Sequence, residues 1–240
     1  MAIKKVGILL GFLFILWGGG ISCSKNEPNL DVLENTDKLA IGVYGGSISS
    51  KPASEVAKEK WRKELNVSVV THGIGGAGFS NGTGHNIPEQ IAAGGKYDIY
   101  VLWASSNDYS ASEDTDINNI ATQNGGIKLS CDLIKAKSPD AVIVFFTSIP
   151  RFDKLYIYDK VKYLVEEQIK TCEKLNIPYL DLFNESNFNE NNYTRYYEED
   201  KVHLTEEGYW VLGDIQVSFL EKIIQRIDVY RYSYENPSVN

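Results

Sequence analysis

"VVTHGIGGAGFSNGTG", residues 69–84, contains Gly73-Ile74-Gly75-Gly76-Ala77-Gly78, a letter-for-letter match to G-x-G-x-x-G. In a dinucleotide-binding unit that pattern follows the first strand and opens a helix whose N-terminus faces a pyrophosphate. Here an earlier run, KLAIGVY (38–44), already supplies a first strand, and the segment after the glycines, FSNGTGHNIPEQ, is a loop reaching Pro88. The glycines thus belong to the second strand connection and serve close backbone approach, so no cofactor is expected.

Working outward, four more runs of β-branched and aromatic residues join the first: NVSVVTH (66–72), YDIYVLW (97–103), DAVIVFF (140–146) and IPYLDLF (177–183). Their near-continuous apolar character suits parallel strands covered on both faces. Amphipathic stretches alternate with them, at 54–65 (Ala57, Trp61, Leu65), near 88–93, at 122–137 and at 155–175. A last helix, over 206–228, places Leu212, Ile215, Phe219, Ile223 and Ile227 at helical spacing with Thr205 as N-cap. The alternation predicts one three-layer α/β/α domain over 38–230, with a tail at 231–240.

Residues 1–22 have the form of an export signal: Lys4 and Lys5 precede an apolar run from Val6 to Trp17 too short to span a bilayer. The small residues before Cys23 resemble a bacterial lipobox, with Gly20 where Leu is usual. That resemblance makes Cys23 the lipid-bearing residue, 23–37 a polar tether, and the bacterial cell envelope the destination, with the membrane reached through the lipid anchor. The net charge is -8 and no basic cluster occurs, which argues against nucleic acid as a partner. Cys131 and Cys172 fall on apolar helix faces and read as core residues rather than a disulfide.

In an open parallel sheet the working surface lies beyond the carboxyl ends of the strands. Ser47 in GGSIS follows the first strand, and a serine needs a base to become nucleophilic. His203 in DKVHL can be that base, with Asp200 three residues earlier to fix its tautomer. Acyl transfer also needs donors for an oxyanion; Gly76 and Ser47 can offer backbone N–H groups and Asn107 in SSND a side-chain amide. His72 and His85 are alternative bases but lie in the glycine-loop region, where local hydrogen bonding suffices. Tyr44, Trp103, Tyr109 and Trp210 could form a stacking rim, yet aromatics at strand ends are more often core and receive no role. Without H-E-x-x-H or cysteine pairs, no metal is expected.

These four blocks, YGGSIS, GIGGAG, SSND and DKVHL, resemble those of the SGNH hydrolases, the GDSL-type esterase and lipase superfamily. The resemblance spans about residues 38–225 and implies a flavodoxin-like five-stranded parallel sheet. It further implies a serine esterase with Ser47, His203 and Asp200 as catalytic residues and Gly76, Asn107 and Ser47 as oxyanion donors. Two positions depart from the pattern: Gly46 replaces the Asp of G-D-S, and Ser105 the Gly of G-x-N-D. G-x-S-x-G also fails at Ser49, which disfavours the α/β-hydrolase elbow. The polar, Asn-rich segment 184–199 tilts the expected substrate toward acetyl esters on carbohydrate or similar small polar molecules. A lysophospholipase or thioesterase, and a non-catalytic glycan-binding surface lipoprotein, are the alternatives.

Overall fold

The computed structural model describes residues 38–80, 85–110 and 115–235. The strands β1 (Ala40–Gly45), β2 (Ser68–Thr71), β3 (Ile99–Trp103), β4 (Val142–Phe146) and β5 (Tyr179–Leu180) form an all-parallel sheet in the order β2-β1-β3-β4-β5. The register sets Gly45, Trp103, Phe146 and Leu180 level with one another, so four strands end on a common line.

Alternation along each strand explains why the central runs are apolar throughout. Val101, Trp103, Val144 and Phe146 point to one face, where α2 (Glu55–Glu64) and α8 (Glu206–Gln225) contribute Trp61, Leu212 and Leu220. Tyr100, Leu102, Ile143 and Phe145 point to the other, covered by α3 (Ile87–Ala93), α4 (Gln123–Lys137) and α5 (Leu155–Lys174) through Ile87, Ile91, Ile127, Ile134 and Cys172. Both faces being covered gives the three layers expected. Trp61 is fully buried between Trp103 and Phe146, with ring centroids 6.0 and 5.8 Å away, and burying such a side chain stabilises by about 3 kcal/mol.

Two expectations need correcting. The fifth strand, expected over 177–183, is only Tyr179–Leu180, because Asp181 accepts a hydrogen bond from Asn184 N and caps a short helix, α6 (Leu182–Glu185). The final helix does not run unbroken over 206–228: α8 stops at Gln225, and α9 (Ile227–Glu235) restarts beyond it and crosses the boundary drawn at 230. Arg231 Nε donates to Asp140 O at 2.9 Å, tying α9 to the end of the sheet. Thr205 caps α8 as expected, accepting from Gly208 N. Cys131 and Cys172 are free and buried. Among the described residues no helix is long and apolar enough to cross a membrane. The leader, Cys23 and the tether lie outside the described residues.

Candidate active site

Ser47 leaves β1 as the first residue of α1 (Ser47–Ser50), a single turn following Gly46. So short a helix cannot satisfy its own last carbonyls. Two neighbours do so: Lys58 Nζ from α2 donates to Ser49 O at 2.9 Å, and Tyr209 Oη from α8 donates to Ile48 O at 2.8 Å. The turn carrying Ser47 is thereby fastened to the layer beneath it.

His203 lies in the turn before α8, where Asp200 Oδ1 accepts the backbone N–H groups of Val202 and His203, each at 2.9 Å. The second carboxylate oxygen meets His203 Nδ1 at 2.6 Å, and His203 Nε2 lies 2.9 Å from Ser47 Oγ. Burial alone would raise the Asp200 pKa, but the backbone and ring N–H groups of His203 and the Val202 N–H outweigh it and lower it to about 2. An ionised Asp200 can only accept, so Nδ1 carries the proton and Nε2 turns its lone pair toward the serine hydroxyl. The three residues singled out in DKVHL and GGSIS thus form one hydrogen-bonded line.

The donors come together from the next two strand ends. Gly76 is exposed and has φ +82°, a conformation that favours glycine. Its N–H has no hydrogen-bond partner among the described residues. Asn107 Nδ2 donates to Ala77 O at 2.8 Å, which spends one amide hydrogen and leaves the other. Asp108, 1% exposed, accepts from Phe79 N at 2.8 Å and Ser80 N at 2.9 Å and so staples this loop to the end of β3. Burial raises its pKa against the lowering effect of those same hydrogen bonds. In the sequence, only its neighbour Asn107 in SSND points to Asp108, because its partners lie 28 and 29 positions away.

Gly46 and Ser105, the two departures from the motif, prove to share one space. Gly46 has an ordinary extended backbone (φ -92°, ψ -154°), so its conformation does not demand glycine. An added Cβ, however, would lie 2.7 Å from Ala77 O, 2.7 Å from Ser105 Oγ and 2.9 Å from Asn107 Nδ2. Ser105 Oγ itself donates to Ala77 O at 2.8 Å. The serine hydroxyl therefore occupies room that a side chain at 46 would need.

Other sequence candidates lie elsewhere. His72 Nε2 meets Tyr97 Oη at 2.5 Å and its ring stacks on buried Tyr44, while His85 is exposed ahead of α3. Trp103 is core, Tyr109 packs beside Arg151, and Trp210 lies under Lys60 on α8. Glu198, Asp200 and His203 present ligand atoms within 4.8 Å of one another, but both His203 nitrogens are engaged by Asp200 and Ser47, and Glu198 is paired with Lys51 at 2.5 Å. α3 begins at Ile87, well past the glycine loop, so that loop does not open a helix as a pyrophosphate site requires. The asparagines of 184–199 largely bond their own turns: Asn192 Nδ2 and Asn189 Nδ2 both donate to Asn187 O. Their abundance reflects turn chemistry and says little about substrate.

Residues 42–211 match the sequence profile of the GDSL-like lipase/acylhydrolase family. A search of curated protein sequences finds no match. Among solved structures, a lipase/acylhydrolase from Enterococcus faecalis superposes with TM-score 0.59 at 18% identity, over 78% of this chain and 96% of that one. The acetylxylan esterase Axe2 from Geobacillus stearothermophilus gives 0.57 at 16%, over 76% and 94%. A lipolytic G-D-S-L family protein from Veillonella parvula DSM 2008 gives 0.59 at 14%, over 76% and 98%. At these identities the likeness is one of fold.

Proposed function

The chain belongs to the GDSL-like lipase/acylhydrolase family and is an ester hydrolase; on that premise we propose that it is a serine esterase working through Ser47, His203 and Asp200. The observation that carries this reading is the line from Asp200 Oδ2 to His203 Nδ1 (2.6 Å) and from His203 Nε2 to Ser47 Oγ (2.9 Å). As Ser47 Oγ attacks the ester carbonyl, His203 Nε2 takes its proton, and Asp200 stabilises the resulting imidazolium. The carbonyl oxygen becomes an oxyanion facing the N–H groups of Ser47 and Gly76 and the second amide hydrogen of Asn107. Collapse expels the alkoxide, which His203 protonates. Water, deprotonated by His203, then releases the acid and regenerates Ser47.

The substrate proposed is an acetyl or similarly short ester on a carbohydrate or other small polar alcohol, cleaved at the cell envelope by a protein anchored through a lipid on Cys23. Hydrolysis of aryl acetates against longer aryl esters tests the acyl preference, with Ser47→Ala abolishing turnover. Equal rates for wild type and variant overturn the assignment. Labelling with an alkyne fatty acid, lost in Cys23→Ala together with membrane association, tests the anchor.

A further inference from the structure

Besides the catalytic groups, the strand-end surface carries a small cleft of about 230 Å³, walled by Phe152, Tyr158 and Tyr193 and rimmed by Arg151, Lys154 and Glu190. Two hydrogen bonds join it to the catalytic loops. Arg151 Nη1 donates to Ser106 Oγ at 3.2 Å, directly before Asn107, and Phe152 N donates to Lys201 O at 3.0 Å, inside the turn holding Asp200 and His203. We propose that this cleft is a subsite for a neutral sugar ring in the alcohol part of the ester; the inference rests on the esterase reading above.

The wall is fixed before anything binds. Phe152 stacks on Tyr193 with centroids 5.1 Å apart, and Tyr158 lies 5.9 Å from Phe152. Arg151 is held by Asp153 through Nε (3.1 Å) and Nη2 (2.8 Å), which leaves it N–H groups but no uncompensated charge. Lys154 and Glu190 have no ion-pair partner among the described residues, and their charges offset one another. An aromatic wall suits the C–H faces of a pyranose, and a rim carrying both donors and acceptors suits its hydroxyls. Leu155, also in the lining, is exposed and adds apolar surface beside the aromatic rings, while Lys154 and Glu190 keep their charged ends in solvent. The volume is below the ~300 Å³ at which ordinary ligand pockets begin, which limits the occupant to about one ring. The side is set by Lys201: the cleft is hydrogen-bonded to the turn that holds His203, the group proposed to protonate the leaving alcohol.

The experiment compares kinetics on vinyl acetate, whose alcohol has no ring, and on a mono-O-acetyl methyl β-glucopyranoside, for wild type, Tyr193→Ala and Tyr193→Phe. Tyr193→Ala is expected to raise KM for the glycoside about 3- to 10-fold, the range of a lost aromatic contact, leaving kcat and vinyl acetate turnover within about twofold. Tyr193→Phe should keep most of the wild-type KM. An unchanged glycoside KM, or an equal rise for both esters, overturns the subsite. Saturation-transfer NMR with methyl β-glucopyranoside reads it without turnover: the signal should be present with Ser47→Ala and lost with Ser47→Ala/Tyr193→Ala. Absence of signal from both proteins refutes the subsite, whereas a wild type inactive on vinyl acetate refutes the acetyl-esterase reading alone.

Discussion

Gly46→Ala adds one methyl group beside Ala77 O and the amide of Asn107, one of the proposed oxyanion donors. Its Cβ would meet Ala77 O at 2.7 Å, Ser105 Oγ at 2.7 Å and Asn107 Nδ2 at 2.9 Å, each inside van der Waals contact. A serine hydroxyl can rotate away. Ala77 O cannot, since it is backbone and also holds the Asn107 amide at 2.8 Å. Relief therefore requires the Gly76–Ala77 segment or Asn107 to move. Overpacking of this kind costs about 1–3 kcal/mol. If that strain falls on the donors, kcat drops about 5- to 150-fold, an upper end that only reaches the lower part of the ~100- to 1000-fold range typical when a donor is lost altogether. In a domain of this size Tm should fall by about 2–12 °C. The assay is steady-state hydrolysis of an aryl acetate beside a thermal melt. Adding Ser105→Ala removes one of the three contacts and should restore kcat by a few fold, not fully, because Ala77 O remains. A Gly46→Ala protein with wild-type kcat and Tm would refute the reasoning, as would a Ser105→Ala change that lowers its activity further. The larger Asp of the family motif should be tolerated less well than Ala.

Asp200→Asn replaces the acceptor facing His203 Nδ1 with an amide that can favour the wrong tautomer, and kcat on aryl acetate should fall about 10³- to 10⁴-fold with the protein still folded by circular dichroism. The Asp200 pKa is depressed to about 2 from an ordinary 3.8, so its stabilising contribution is present above pH ~4 and lost as pH falls through 2. The Tm difference between wild type and Asp200→Asn should accordingly shrink across that window, and a constant difference would contradict it. Asp108→Ala strands the buried Phe79 and Ser80 N–H groups and should cost about 2–5 kcal/mol in denaturant unfolding, with reduced kcat because the Gly76 loop is released.

Much of this was legible because strand and helix periods differ. Trp103 and Phe146 on one face and Tyr100 and Phe145 on the other made unbroken apolar runs that only a covered parallel sheet accommodates. The relay was legible because Asp200 and His203 stand three positions apart, and one turn spans that interval. What escaped depended on contacts distant in sequence. Asp108 and Phe79 are 29 positions apart, and Arg151 reaches Ser106 across 45. Sequence alone assigned no rim role to Tyr44, Trp103, Tyr109 and Trp210, and Tyr44 and Trp103 are indeed fully buried; it offered no pointer to the proposed aromatic wall. That wall is formed by Phe152, Tyr158 and Tyr193, whose local spacing is that of ordinary helix and loop residues.

The Ala77 carbonyl shows why the glycine block and the asparagine block act as one unit. A carbonyl oxygen has two lone pairs, and here they receive Ser105 Oγ and Asn107 Nδ2, both at 2.8 Å. Any displacement of Ala77 therefore moves the Gly76 N–H, one peptide away, together with the Asn107 amide. The neighbouring Phe79 and Ser80 N–H groups are pinned by Asp108, and Gly76, with φ +82°, is where the backbone turns ahead of them. A charge that develops only during reaction requires donors already in place, because rearranging them during the reaction would add to the barrier. The letters that imitate a cofactor fingerprint supply this rigidity: glycine where the backbone must turn, and no helix behind it to attract a standing phosphate.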